Sequence, residues 1–281
     1  MVESELCRTF SKDHPSVHAS TARPTLLDRK DIHMDTAIRH PSFRKKLTSF
    51  IATAVALSTV AFTPLQAFAA SEIWIDDGTG TSAQYTKAAT GVGSEGGTWD
   101  WDGADSLTLD DYMGSEIMAK GDLDIDVSGD NVVTNDEPDS EGYCEGISVY
   151  DGDLSISGEG TLDVNAQAQI EGSAYTEGIY VYNGDVRIDG TTVNATATSE
   201  SGSTAGIATD RGDVNIQNGA NVTSTAEGTE YARGIIAWNG NVNISDSTVN
   251  AQGTTTSAGA DALGNGIEAY GDDELGNLPA I

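Results

Sequence analysis

Aromatic residues recur at nearly the same place in successive stretches of this chain: Tyr150, Tyr182, Trp238 and Tyr270, with Tyr180 two residues before the second of them. Rings held at fixed spacing on one rigid face can stack on the apolar faces of sugar rings, while their polar tips hydrogen-bond hydroxyls. A second set is acidic. Asp122, Asp124 and Asp126 alternate along one run, and Asp153 takes the place of Asp122 one stretch later. Carboxylates crowded in this way repel unless a cation lies between them, and Ca²⁺, which takes about six to eight hard oxygens, would find part of its shell here. Two plainer readings stand beside these. Aromatic residues favour exposed strand surfaces, where they stack on neighbouring strands, and Asp after Gly caps its own turn.

Groups suited to acid–base or nucleophilic chemistry are scarce. Beyond residue 69 the 44 acidic residues fall to 38 and the 14 basic ones to 5, a net charge of −33, and no His is left. A polysaccharide lyase needs an Arg or Lys base beside a calcium-bound uronate, and only Arg187 and Arg211 lie near carboxylates in strand-like runs. A hydrolase needs two carboxylates at a defined separation, and in a chain this acidic such pairs arise from composition. No enzyme is therefore expected. The charge also argues against nucleic acid and anionic membrane surfaces as partners, and favours solubility and cation binding.

The elements that must position these residues are repeats. GIYVYNGDVRIDG from Gly178 has near copies beginning at Gly146, Gly206 and Gly234 and a partial one at Gly266, so the Gly-Ile pairs step by 32, 28, 28 and 32 residues. A period of this length without helical patterning means one supersecondary unit stacked on copies of itself. Within a unit, Ile179 and Val181, then Val186 and Ile188, alternate with polar residues, each run a short strand with one buried face. Gly184 and Gly190 punctuate the corners. The expected fold is all-β, a parallel β-helix with three short strands per coil of 28 to 32 residues. Its inward columns read Ile117, Ile147, Ile179, Ile207, Ile235, Ile267; Leu123, Leu154, Val186, Val214, Val242; and Ile125, Ile156, Ile188, Ile216, Ile244. Asn165, Asn194, Thr223 and Asn250 are expected to stack as an outer polar column.

The rest of the chain divides around the repeats. Residues 1–33 are mixed in charge and aperiodic, a leader discarded before folding or a stretch ahead of a start at Met34. Residues 34–69 carry Arg44, Lys45 and Lys46, an apolar run and Ala67-Phe68-Ala69, the form of a secretory signal peptide. Residues 70–113 are expected to cap the solenoid, Trp99 and Trp101 closing its open end, and residues 114–281 to form the β-helix, cut short inside a coil because GDDELGNLPAI loses the alternation. Cys144 is the one cysteine beyond the leader, so an intrachain disulfide is not available to it.

The run TWDWDGADSLTLDDYMGSEIMAKGDLDIDVSGDNVV, followed by units of the form GIxVxxGDLxIxGxGTLxV, is similar to the carbohydrate-binding β-helix domains of secreted and surface proteins of gut and cellulose-degrading bacteria. The resemblance spans Trp99 to Tyr270. It implies a right-handed parallel β-helix, bound calcium and non-catalytic binding of polysaccharide, plant-type or acidic glycans among them, by a protein secreted or held at the cell surface without membrane insertion. The alternative is a surface adhesin or spacer whose solenoid projects something else.

Overall fold

The computed structural model describes residues 69–139, 142–169, 175–257 and 262–271. The expected leader and export segment up to residue 68, and the closing stretch from residue 272, lie outside the described residues. Everything described is strand, turn or loop. Among the described residues no helix is long and apolar enough to cross a membrane.

Five strands precede the repeats: β1 (Glu72–Asp76), β2 (Ser82–Tyr85), β3 (Ala89–Gly93), β4 (Gly96–Trp101) and β5 (Ser106–Gly114). Five coils of three strands follow. They are β6 (Ile117–Lys120), β7 (Leu123–Ser128) and β8 (Asp130–Asn135); β9 (Tyr143–Tyr150), β10 (Leu154–Gly158) and β11 (Thr161–Ala168); β12 (Tyr175–Val181), β13 (Val186–Asp189) and β14 (Thr192–Ser199); β15 (Ser203–Thr209), β16 (Val214–Gln217) and β17 (Asn221–Gly228); and β18 (Tyr231–Ala237), β19 (Val242–Ile244) and β20 (Thr248–Thr255). Among the described residues one more strand, β21 (Leu263–Ala269), opens a further turn. Each strand pairs in parallel with its copies in neighbouring coils, so the chain is a parallel β-solenoid whose first sheet runs through β6, β9, β12, β15, β18 and β21, its second through β7, β10, β13, β16 and β19, and its third through β8, β11, β14, β17 and β20.

The inward columns hold residue for residue. Ile117, Ile147, Ile179, Ile207, Ile235 and Ile267 are successive register partners, as are the Leu123 and Ile125 columns. From Ile117 to Ile235 the first column is fully buried, whereas Ile267 is 46% and Ile244 43% exposed. Among the described residues no coil lies beyond them. The outer Asn column differs from expectation: Asn194 aligns with Asp163, Thr223 and Asn250, while Asn165 aligns with Thr196 and Thr225. Asn194 Nδ2 donates to Asp163 Oδ1 at 2.6 Å. Register in the third sheet is set by the stacked Leu162, Val193, Val222 and Val249, whose shift by one residue would turn every side chain over. Matching Asn to Asn has no such weight.

Two glycine columns shape the coil, and both act through close approach. A Cβ on Gly178 would lie 2.6 Å from the Gly206 carbonyl oxygen, and one on Gly184 would lie 2.1 Å from that of Gly152. No real Cβ tolerates such a backbone contact, which is why Gly recurs at these places.

The strands before the repeats pack on the first coil. β1 runs antiparallel to β6 and β2, and β3, β4 and β5 form an antiparallel meander. β5 then lies on both β7, with Leu107 opposite Ile125, and β8, with Met113 opposite Val132, joining the second and third sheets. Trp99, Trp101, Leu107, Leu109 and Tyr112 are buried in the same core cluster as the first coil. Cys144 packs with Ala166 and Ala168, its Sγ donating to the Asn135 carbonyl at 3.2 Å. Burial pushes its thiol up to about 12, so it behaves as a small apolar residue.

Candidate functional site

The sequence-derived aromatic column exists, on the outer face of the first sheet. Lys120 is the register partner of Tyr150. Backbone bonds Tyr182 N to Val149 O (2.9 Å), Asp210 N to Val181 O (3.0 Å), Trp238 N to Thr209 O (2.9 Å) and Tyr270 N to Ala237 O (2.8 Å) continue the column one coil at a time. Tyr180 belongs to the neighbouring outward column, in register with Ser148, Ala208, Ile236 and Glu268. All five rings join one apolar cluster outside the solenoid core, with Trp74, Met118, Ala205, Ala208 and Ile236.

They are not equally available. Tyr150 and Tyr180 are each 4% exposed, whereas Tyr182, Trp238 and Tyr270 are half-buried. The rings meet edge to face at 6.1 Å for Tyr150 and Tyr180, and lie parallel at 5.4 Å for Trp238 and Tyr270. Stacking between neighbouring coils therefore uses part of the surface the sequence assigned to a ligand. Tyr182, Trp238 and Tyr270 keep part of their surface exposed.

Charged residues stand beside the rings, and of these the sequence reading did not single out Glu145, Glu177 or Glu268. Glu145 and Glu177 are register partners in adjacent coils, followed in the same column by Ala205 and Arg233. Glu145 accepts the Tyr150 hydroxyl at 2.9 Å, and Asp210 accepts that of Tyr180 at 3.0 Å. Arg233 pairs with Glu268 at 2.5 Å, and its guanidinium stands 4.6 Å from the centre of the Trp238 ring and 4.7 Å from that of Tyr231. Arg211 lies over Tyr182 at 5.7 Å and donates to Asn183 Oδ1 at 3.2 Å. Strict alternation counted back from the inward Ile179 puts Glu177 inside. A side chain at Gly178 would itself point inward, against Thr196 and the Gly206 carbonyl, so alternation breaks there and Glu177 joins the outer face. The sequence signal for this was the Glu-Gly-Ile order of Glu145 to Ile147, repeated at Glu177.

Burial pushes the Glu177 carboxyl well above the usual range, with the charges of Glu145 and Asp210 adding to the effect and Arg233 opposing it. A carboxyl raised in the folded state contributes its full stability below the unfolded pKa and loses it as pH rises through the folded one. Glu177→Gln, which removes that loss, is expected to melt with wild type at pH 4 and a few degrees above it at pH 8. Thermal melts at the two pH values check this, and a variant less stable at pH 8 would contradict it.

The acidic set lies on a different face, along the second sheet. Asp122 Oδ1 accepts the backbone N–H of Asp153 at 2.9 Å, Asp153 that of Asp185 at 2.8 Å, and Asp185 that of Asp213 at 2.7 Å. These aspartates thus form a ladder that satisfies the corner N–H of each following coil. Asp124 stands opposite Ser155 and Asp126 opposite Ser157. Burial, then the neighbouring carboxylates, push Asp122 and Asp124 up. Among the described residues no group of three or more such side chains is arranged to hold a metal ion. Arg187 pairs with Asp189 at 2.6 Å; together with Asn218 and Gln217 it holds that carboxyl down at about 2.

No family model, curated protein or solved structure matches the chain.

Proposed function

We propose that the protein binds polysaccharide without cleaving it, on the outer face of its first sheet, outside the cell or at its surface. The observation that carries this reading is the half-buried column of Tyr182, Trp238 and Tyr270, in register along a rigid stack and edged by Arg211, Arg233 and Glu268. Ring faces supply apolar stacking for sugars, and the charged edges supply directional hydrogen bonds to hydroxyls. Neighbouring coils are held about 4.8 Å apart in a rigid stack, with Asp210 between the Tyr182 and Trp238 coils, so little ordering remains when a chain-like ligand arrives.

Titration with a panel of soluble polysaccharides tests this. Tyr182→Ala and Trp238→Ala are each expected to weaken the binding ligand at least about tenfold, some 1.4 kcal/mol, with melting temperatures near wild type. Unchanged affinity in both variants would remove the ring platform. Calcium assistance through Asp122, Asp124, Asp126 and Asp153 is a separable part of the proposal. It predicts that EDTA weakens binding and that millimolar calcium raises the melting temperature by mass action.

A further inference from the structure

The outer face of the first sheet holds one carboxyl, that of Glu177, that no other group of the described residues completes. Glu145 and Glu177 face each other across one coil step and are 7% and 8% exposed. Glu145 has the Tyr150 hydroxyl as a donor. Among the described residues Glu177 has no hydrogen bond or ion pair, and with the residue only 8% exposed its carboxyl oxygens meet just the little solvent that reaches them. Asp210 adds a third carboxylate near it, and Arg233, the cation that opposes them, is held by Glu268. A buried carboxyl without a partner is costly unless something from outside completes it.

The chemistry of that partner follows from the surroundings. A hard metal ion wants more oxygens than converge here. An ammonium group is satisfied by fewer, being a compact charge with three donors, and it is also attracted by aromatic faces. The rings of Tyr150, Tyr180 and Tyr182 lie in the same cluster. In the next coil the outward residues shrink to Ala205 and Ala208, between Glu177 and Tyr180 on one side and Arg233 and Ile236 on the other. We propose that this face takes a glycan bearing protonated amino groups, one ammonium lodging between Glu145 and Glu177 while its sugar rings lie on Tyr182 and Trp238. This rests on the glycan-binding reading and puts a cationic ligand in place of an acidic one. The net charge of −33 beyond residue 69 draws such a chain in from a distance. An acidic glycan would meet like charge at Glu145 and Asp210 and would offer Glu177 no donor.

Calorimetric titration of the protein at about pH 6 with the hexasaccharides of glucosamine, N-acetylglucosamine and galacturonic acid tests the inference. The amino sugar is expected to bind at least tenfold tighter than its acetylated form, and galacturonate weakest. Glu177→Gln should bring that ratio close to one while leaving the acetylated sugar within twofold of wild type. Equal affinities in the wild type, or a preference that survives Glu177→Gln, would overturn the amino-sugar site and leave glycan binding standing. Binding of none of the three would overturn both.

Discussion

Replacing Asp76 by alanine is expected to cost the protein about 1–3 kcal/mol, because it removes the one buried acceptor shared by donors of three separate segments. Asp76 is fully buried. Its Oδ1 accepts the N–H of Gly78 at 2.8 Å and of Gly80 at 3.1 Å; its Oδ2 accepts Ser94 Oγ at 2.6 Å, Ser94 N at 3.3 Å and Ser115 N at 3.1 Å. The backbone carbonyl of the same residue takes the Trp99 indole N–H at 3.0 Å. One side chain therefore ties together the turn after β1, the turn between β3 and β4, and the link from β5 into the first coil. In a solenoid each unit leans on its neighbours, so loosening this end exposes the first coil in turn.

The pH dependence has a definite sign. Burial opposes ionisation of Asp76, but the hydrogen bonds from Ser94, Ser115, Gly78 and Gly80 outweigh it and hold the carboxyl below its ordinary value. The stability it contributes is present above the unfolded pKa of about 3.9 and is lost as pH falls through the folded one. Urea unfolding followed by tryptophan fluorescence should show Asp76→Ala shifted strongly at pH 7, Asp76→Asn in between, and the gap to wild type narrowing in acid. A loss under about 1 kcal/mol at pH 7 would mean the knot is not what holds the cap.

Ile179→Ala is the second large effect. Ile179 lies between Ile147 and Ile207, all three with no exposed surface, and its strand is hydrogen-bonded on both sides. Neighbours clamped in this way collapse poorly into the space left behind, so a cost of about 2–5 kcal/mol is expected. The same substitution at Ile267, 46% exposed in the same column, should cost under about 1 kcal/mol. Denaturation midpoints of the two variants check the contrast, and equal losses would argue that the column is not a stack.

Where these effects fall was partly visible before any coordinates. The Gly-Ile period set the vertical neighbours of Ile179, and the structure returns the same partners. Buried aliphatics alternating with polar residues specify register strongly, since a one-residue slip would expose the whole inner face. Asn165 shows the limit of that reasoning. Its alignment was judged from like side chains on a solvated face, where a slip costs little, and the buried Leu162 column placed it elsewhere. Asp76 carried no signal of its own, because its partners lie 2 to 39 residues away in irregular chain.

The sequence by itself determined the solenoid, its coil length, its inner columns and which residues point outward in the aromatic column, because a repeat of stacked strands turns local alternation directly into three-dimensional neighbours. The tertiary structure alone decided that Tyr150 and Tyr180 turn into the sheet surface, that the aspartates of the second sheet bond to corner N–H groups, and that Glu145, Glu177 and Arg233 share the aromatic face. Those outcomes depend on side-chain packing across coils and on the backbone bend at Gly178, where close approach to the next coil breaks the two-residue period.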